Sequence, residues 1–266
     1  MEKDVLTSKY LRAKEKFIQL FLQHELFSTL LNQFVESEYY ITVGERELEL
    51  LGLGVELKFL EKKIEIVNSL ITVETDIDED QIDHVITEHM LEDEQVVEEY
   101  EKQLEECEEF LEDREKVAKS IKEAVKLYKE IIKFVHPVIN KITEKEKKIF
   151  KVSQNAFYEL RLDTLENIAL FLEEKISVKE LTDEELALNL SNINVENAVM
   201  ESEIREIKGK FPFTEARNIN DPLWIAEKFN EYDLKIEAMS IKKEFLEETI
   251  EEIFSELENP DVEPAN

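Results

Sequence analysis

The sequence is poor in the residues that break helices. Its 266 residues include four glycines and five prolines, the two residues that most strongly punctuate a chain. Leu, Glu and Lys, all strong helix formers, are abundant instead. An all-α fold is therefore expected, elongated and coiled-coil-like, and an apolar content of 42 % allows a sizeable core. One cysteine, Cys107, excludes an internal disulfide and any cysteine-based zinc site, and a reducing, cytoplasmic setting is the default. The start, "MEKDVLTSKYLRAKEKF", carries no apolar signal-peptide core. No apolar run approaches the ~20 residues of a membrane span.

Basic residues are also in deficit, with 33 Lys and Arg against 64 Asp and Glu and a formal net charge of -31. Phosphate contacts need a basic face, so direct nucleic-acid binding is not expected, and neither is docking on an anionic membrane. The acidic surface favours solubility. The alternative is an acidic helical binding protein that mimics nucleic acid and inhibits an enzyme acting on it.

Apolar spacing organises the chain. Phe17, Leu20, Phe21, Phe27, Leu31 and Phe34 mark a buried helix stripe. A connection is expected at Gly44. Leu50, Leu53, Leu57, Leu60, Ile64, Val67 and Ile71 then continue at three- and four-residue steps, making an antiparallel helical hairpin with the first stripe. Asp78 is a candidate cap for a short helix over 79–92, with Gln81 as its partner. Val97, Leu104, Leu111, Ala118, Val125 and Ile132 lie seven apart. So do Tyr100, Cys107, Arg114, Ile121, Tyr128 and Val135, and together they predict one heptad helix ending at Pro137. Cys107 falls on that seam as a core residue. Thr143 and Glu146 form a capping-box pattern for a helix to about Glu159. Asp163 is a candidate cap for the next helix. Asp221 with Pro222 starts a final helix running to about Leu257. The expected division is 1–92, 93–175 and 176–258, with a frayed tail over 259–266.

Chemistry-bearing motifs are weak. Asp76, Asp78 and Asp80 resemble the start of a calcium loop, but Gln81 stands where glycine is needed and Thr87 where a bidentate Glu is needed. His84 and His89 are five apart, not the four that places two ligands on one helix face. No phosphate loop or nucleophile elbow is present. No enzyme activity, metal or cofactor is implied.

The anomaly is the window 116–151, where eleven lysines face four glutamates for a net charge of +7. Lys119, Lys122, Lys126, Lys129 and Lys133 form one stripe offset from the apolar seam. They serve either as internal ion-pair partners or as a docking face for an acidic protein.

The segment from Ile121 to Glu166 resembles the central part of a J-domain, the module of DnaJ-type co-chaperones. Tyr128 lies eight residues before His136, and Ile131 and Ile132 fill the apolar positions between. Phe150, Ala156, Phe157 and Leu160 follow at fourteen, twenty, twenty-one and twenty-four residues, matching a Phe…Ala-Tyr-x-x-Leu pattern with Phe157 in place of Tyr. "YELRLDTLENIALF" also looks like DnaJ-like proteins of Gram-positive bacteria. The resemblance implies an antiparallel hairpin presenting a basic helix to a DnaK-type ATPase chaperone or another protein partner. Lys126, Lys129, Lys133, His136 and Pro137 would lie at the contact, the lysines matching charge and His-Pro making the turn. The family's His-Pro-Asp reads His-Pro-Val here, and that Asp is the residue needed to stimulate the ATPase. Val138 therefore implies a non-catalytic chaperone accessory or interaction scaffold, impaired in ATPase stimulation.

Overall fold

A computed structural model describes residues 2–72, 78–173 and 182–258; the expected tail over 259–266 lies outside them. Every regular element among the described residues is helical: α1 (Glu2–Ser28), α2 (Leu30–Thr72), α3 (Glu79–Phe110), α4 (Arg114–Val135), α5 (Glu144–Tyr158), α6 (Leu162–Glu173), α7 (Asp183–Lys208), a 3₁₀ turn (Asn218–Asn220) and α8 (Pro222–Glu258). The contacts divide the chain into two compact units, each discontinuous in sequence.

The first unit comprises residues 1–37 and 110–217. Its core takes Phe17 and Ile18 from α1, Tyr128, Ile131, Ile132 and Val135 from α4, Ala156 and Phe157 from α5, Leu165 from α6 and Ile193 from α7. Asp113 caps α4, its carboxylate accepting the Lys116 N–H at 3.0 Å. Thr143 and Glu146 form the expected capping box of α5. Thr182 and Glu185 form another at the start of α7. The α5–α6 corner turns on Leu160, whose φ of 51° lies in the left-handed region. Arg161 N–H donates to Ala156 C=O at 2.8 Å and Leu160 N–H to Phe157 C=O at 3.2 Å, the bond pair of a Schellman ending that usually employs glycine. The side chain of Leu160 packs against the core, which offsets the ~1–2 kcal/mol that left-handed geometry costs a Cβ-bearing residue. Asp163 lies within the first turn of α6 rather than capping it.

The second unit comprises residues 38–109 and 218–266. Val67, Ile82, Ile86 and Met90 form a buried cluster between α2 and α3, closed by Ile253 and Phe254 of α8. Asp78 caps α3, accepting the Gln81 N–H at 3.2 Å. Asp221 caps α8, accepting the Leu223 N–H at 3.0 Å with Pro222 at the first helical position. The Glu47 carboxylate accepts three phenol hydroxyls, Tyr39 and Tyr232 at 2.6 Å and Tyr100 at 2.5 Å. Burial first, then bonding to this carboxylate, pushes all three phenols well above their ordinary pKa.

Three expected boundaries are corrected, and the antiparallel hairpin expected between the first two stripes falls with the first, since Leu31 and Phe34 share one helix with residues 50–71. Gly44 is not a connection; it sits inside α2, and the break falls at Thr29 instead. A Cβ on Gly44 would stand 2.9 Å from Leu104 Cδ1, so the glycine permits close helix packing rather than a turn. The heptad seam is not one helix either. α3 runs unbroken through the position expected to end a short helix, and the chain turns at residues 111–113 before α4 begins. Cys107 is buried, as its seam position requires.

Candidate interaction site on the α4–α5 hairpin

Pro137 disfavours helical geometry in the residue before it, and His136 is extended, with φ -73° and ψ 125°. This ends α4. The carbonyls left without helical partners are taken up locally. His136 C=O accepts from Ile139 N–H at 3.3 Å and from Asn140 N–H at 3.1 Å. The Asn140 side chain donates to Lys133 C=O at 3.0 Å and again to His136 C=O at 3.3 Å. From α1, Lys14 Nζ donates to Asn140 Oδ1 at 3.1 Å. The turn is thus fastened on both sides, as orphan helix carbonyls require.

His136 points inward and is 4 % exposed. Its ring lies edge-on to Phe17, Phe21 and Phe150, with centroids 4.8, 4.3 and 4.9 Å away. Nδ1 accepts the Val138 N–H at 3.3 Å, which places the ring proton on Nε2. Burial lowers the imidazole pKa to about 4. His136 is neutral at pH 7 and contributes the shape of the turn, not a contact surface. Pro137 is exposed. Val138 is half-buried and packs against the core of the unit.

Further along the hairpin, Tyr128 and Phe157 stack at 4.6 Å with planes 20° apart, and Ala156 is fully buried. These are the apolar positions that a loop of this length brings opposite one another. The Tyr128 hydroxyl is buried without a hydrogen-bond partner among the described residues.

At 100° per residue the five stripe lysines fall within an arc of about 80°, on the side of α4 away from its buried residues. They do not behave alike. Lys129 pairs with Glu15 of α1 at 3.3 Å and Lys133 with Glu130 at 2.8 Å. Lys119, Lys122 and Lys126 are exposed and make no ion pair among the described residues. On and near α5, Lys141 pairs with Glu185 at 2.6 Å and Lys147 with Glu144 at 2.6 Å, while Lys148 and Lys151 are exposed, as is Lys116 in the first turn of α4. Hydrogen bonds from Lys141 and from the Thr182 backbone hold the Glu185 carboxyl down at about 2. The geometry therefore brings Lys126, Lys129 and Lys133 onto one face, adds Pro137 at the exposed turn and withdraws His136 beneath it.

Sequence reasoning missed Asn140 and Lys14, and it placed Phe17 and Phe21 in a buried stripe without their role in holding the turn. Asn140 carried a local signal, since an amide four residues after a helix-stopping His-Pro can reach the last carbonyls. The α1 partners had none, being more than a hundred residues away. Elsewhere, His84 is exposed beside Glu88 at 3.6 Å and His89 bonds its own helix backbone. Among the described residues no group of three His, Cys, Asp or Glu side chains is placed to hold a metal, and no helix is long and apolar enough to cross a membrane. Neither a family model, nor a curated protein, nor a solved structure matches the chain.

Proposed function

We propose that this chain is a non-catalytic J-domain-like protein, a chaperone accessory or helical interaction scaffold whose first partner to test is a DnaK-type ATPase. The observation that supports this reading is the α4–α5 hairpin. It combines a His-Pro turn locked by buried contacts, a stacked Tyr128–Phe157 pair and a basic outer face with Lys119, Lys122 and Lys126 unpaired among the described residues. Complementary charge would steer an acidic partner to that face. At the turn, the place of the family's acidic trigger is taken by Val138, whose side chain packs inward. Docking without ATPase stimulation is the behaviour this predicts.

The test is single-turnover ATP hydrolysis by a DnaK-type chaperone, with the chain and with its Val138→Asp variant, alongside direct binding. Stimulation by the variant alone is the expected result. Stimulation by both would keep the co-chaperone reading and discard the idea of a lost trigger. Silence and no binding from both would overturn the proposal. A second reading would then stand on α3, where Glu98, Glu101, Glu105 and Glu108 are all exposed at helical spacing. It is an acidic helix that occupies the basic channel of a nucleic-acid enzyme, with binding that weakens as salt rises.

A further inference from the structure

We infer that α8 carries a seam for a second copy of this chain, and that the two α8 helices associate in parallel. Tyr232, Leu246 and Ile250 turn one side of α8 inward, at 7, 9 and 7 % exposure. On another side, Leu234, Ile241 and Phe245 are 59, 60 and 65 % exposed, and Ala238 among them is exposed too. The steps of four, three and four residues are those of alternating d and a positions in a coiled coil. Scattered exposed apolar residues are ordinary, but this set lies on one line over three helical turns.

The flanking charges specify the occupant. With Leu234 and Ile241 at d, the e positions are Lys235 and Lys242 and the g positions are Glu237 and Glu244. In a parallel pair each g residue meets the e residue five places on in its partner. Glu237 then meets Lys242 of the second copy, twice by symmetry. In an antiparallel pair e meets e and g meets g. Glu237 would face Glu244, and Lys235 would face Lys242. Glu237 and Glu244 make no ion pair among the described residues. Lys242 holds Glu61 at 2.5 Å, and both side chains are about half exposed, so exchange for Glu237 costs little. Acidic Glu231 and Glu248 occupy the next seam positions on either side. They limit the seam to about two heptads and the association to a weak, reversible dimer.

Sedimentation velocity of the full chain over about a hundredfold range of concentration tests this. A concentration-dependent dimer is expected. Ile241→Asp, at an exposed site that leaves folding intact, should raise the dissociation constant more than about tenfold. Glu237→Lys should weaken the dimer, and Glu237→Lys with Lys242→Glu should restore it. Ala238→Cys should form an oxidised dimer, because only the parallel arrangement sets this position against its own copy. A monomer at every concentration, or a dimer indifferent to Ile241→Asp, would overturn the inference. So would a persistent dimer in which Ala238→Cys fails to cross-link, since that would place another surface or the opposite orientation at the interface.

Discussion

Acidification should attack the His-Pro turn first. The His136 ring is walled in by three phenylalanines, and its one bonded nitrogen accepts from Val138 N–H. A second proton would put a charge among those rings and remove the acceptor. The folded pKa of about 4 lies below the ordinary 6.5. Between these values the unfolded chain binds a proton that the folded chain refuses, so stability falls as pH falls. Each unit corresponds to about 1.4 kcal/mol, which gives about 2 kcal/mol lost between pH 7 and 5 and about 3 kcal/mol once pH is below 4. Carboxylates titrate in the lower part of this window, so the comparison must be differential. Urea unfolding of the parent and of His136→Phe at pH 7 and 5 isolates the imidazole. Phe keeps an aromatic ring among its neighbours and cannot titrate. The parent should lose about 2 kcal/mol more than the variant over that interval. Parallel pH dependences, or an NMR titration of His136 near 6.5, would refute the argument.

Two further substitutions probe the second unit. Gly52 lies within α2, and nothing beyond its own helix backbone comes within 4 Å of where a Cβ would stand. Gly52→Ala should therefore raise unfolding free energy by about 0.5–1 kcal/mol without changing the m-value; a loss would mean that the space is occupied in solution. Glu47→Gln removes the charge that three phenols address and should cost about 2–3 kcal/mol in urea, while a change below about 0.5 kcal/mol would show that the three bonds are not formed together.

Local chemistry was the legible part of the chain. Thr143 with Glu146, Asp78, and Asp221 before Pro222 act within one helical turn, and each caps a helix at the expected start, although the helix after Asp78 runs on to Phe110 instead of ending at 92. Apolar spacing marks burial but not continuity. The positions from Val97 to Val135 keep a seven-residue beat through the turn at 111–113, because Leu111 is buried whether the helix continues or turns. Arg114, the one charge on that seam, marked the interruption: it is exposed at the start of α4. Gly44 misled for the opposite reason, since a glycine that makes room for a neighbouring helix looks the same in sequence as one that makes a turn. The lysine stripe divides in two ways: Lys133 pairs with Glu130 three residues back on its own helix, which spacing could show, whereas α1 brings Glu15 to Lys129, so Lys129 could not be told from Lys122 and Lys126 by spacing. The convergence of Tyr39, Tyr100 and Tyr232 on Glu47 joins positions almost two hundred residues apart and has no signature along the chain.

Long helices with apolar residues every three or four positions face a particular folding hazard: they can slide past one another by a heptad and still match. Lys63 removes that freedom for α2 and α3. Its side chain is 8 % exposed, and its ammonium sits against Glu79 at 2.6 Å and Asp83 at 2.8 Å. A one-heptad slip of α3 in one direction would set Ile86 and Met90 in their place and leave a buried cation without a counter-charge, a loss of several kcal/mol. The pair adds little net stability over an apolar match, but it makes the wrong register far worse than the right one.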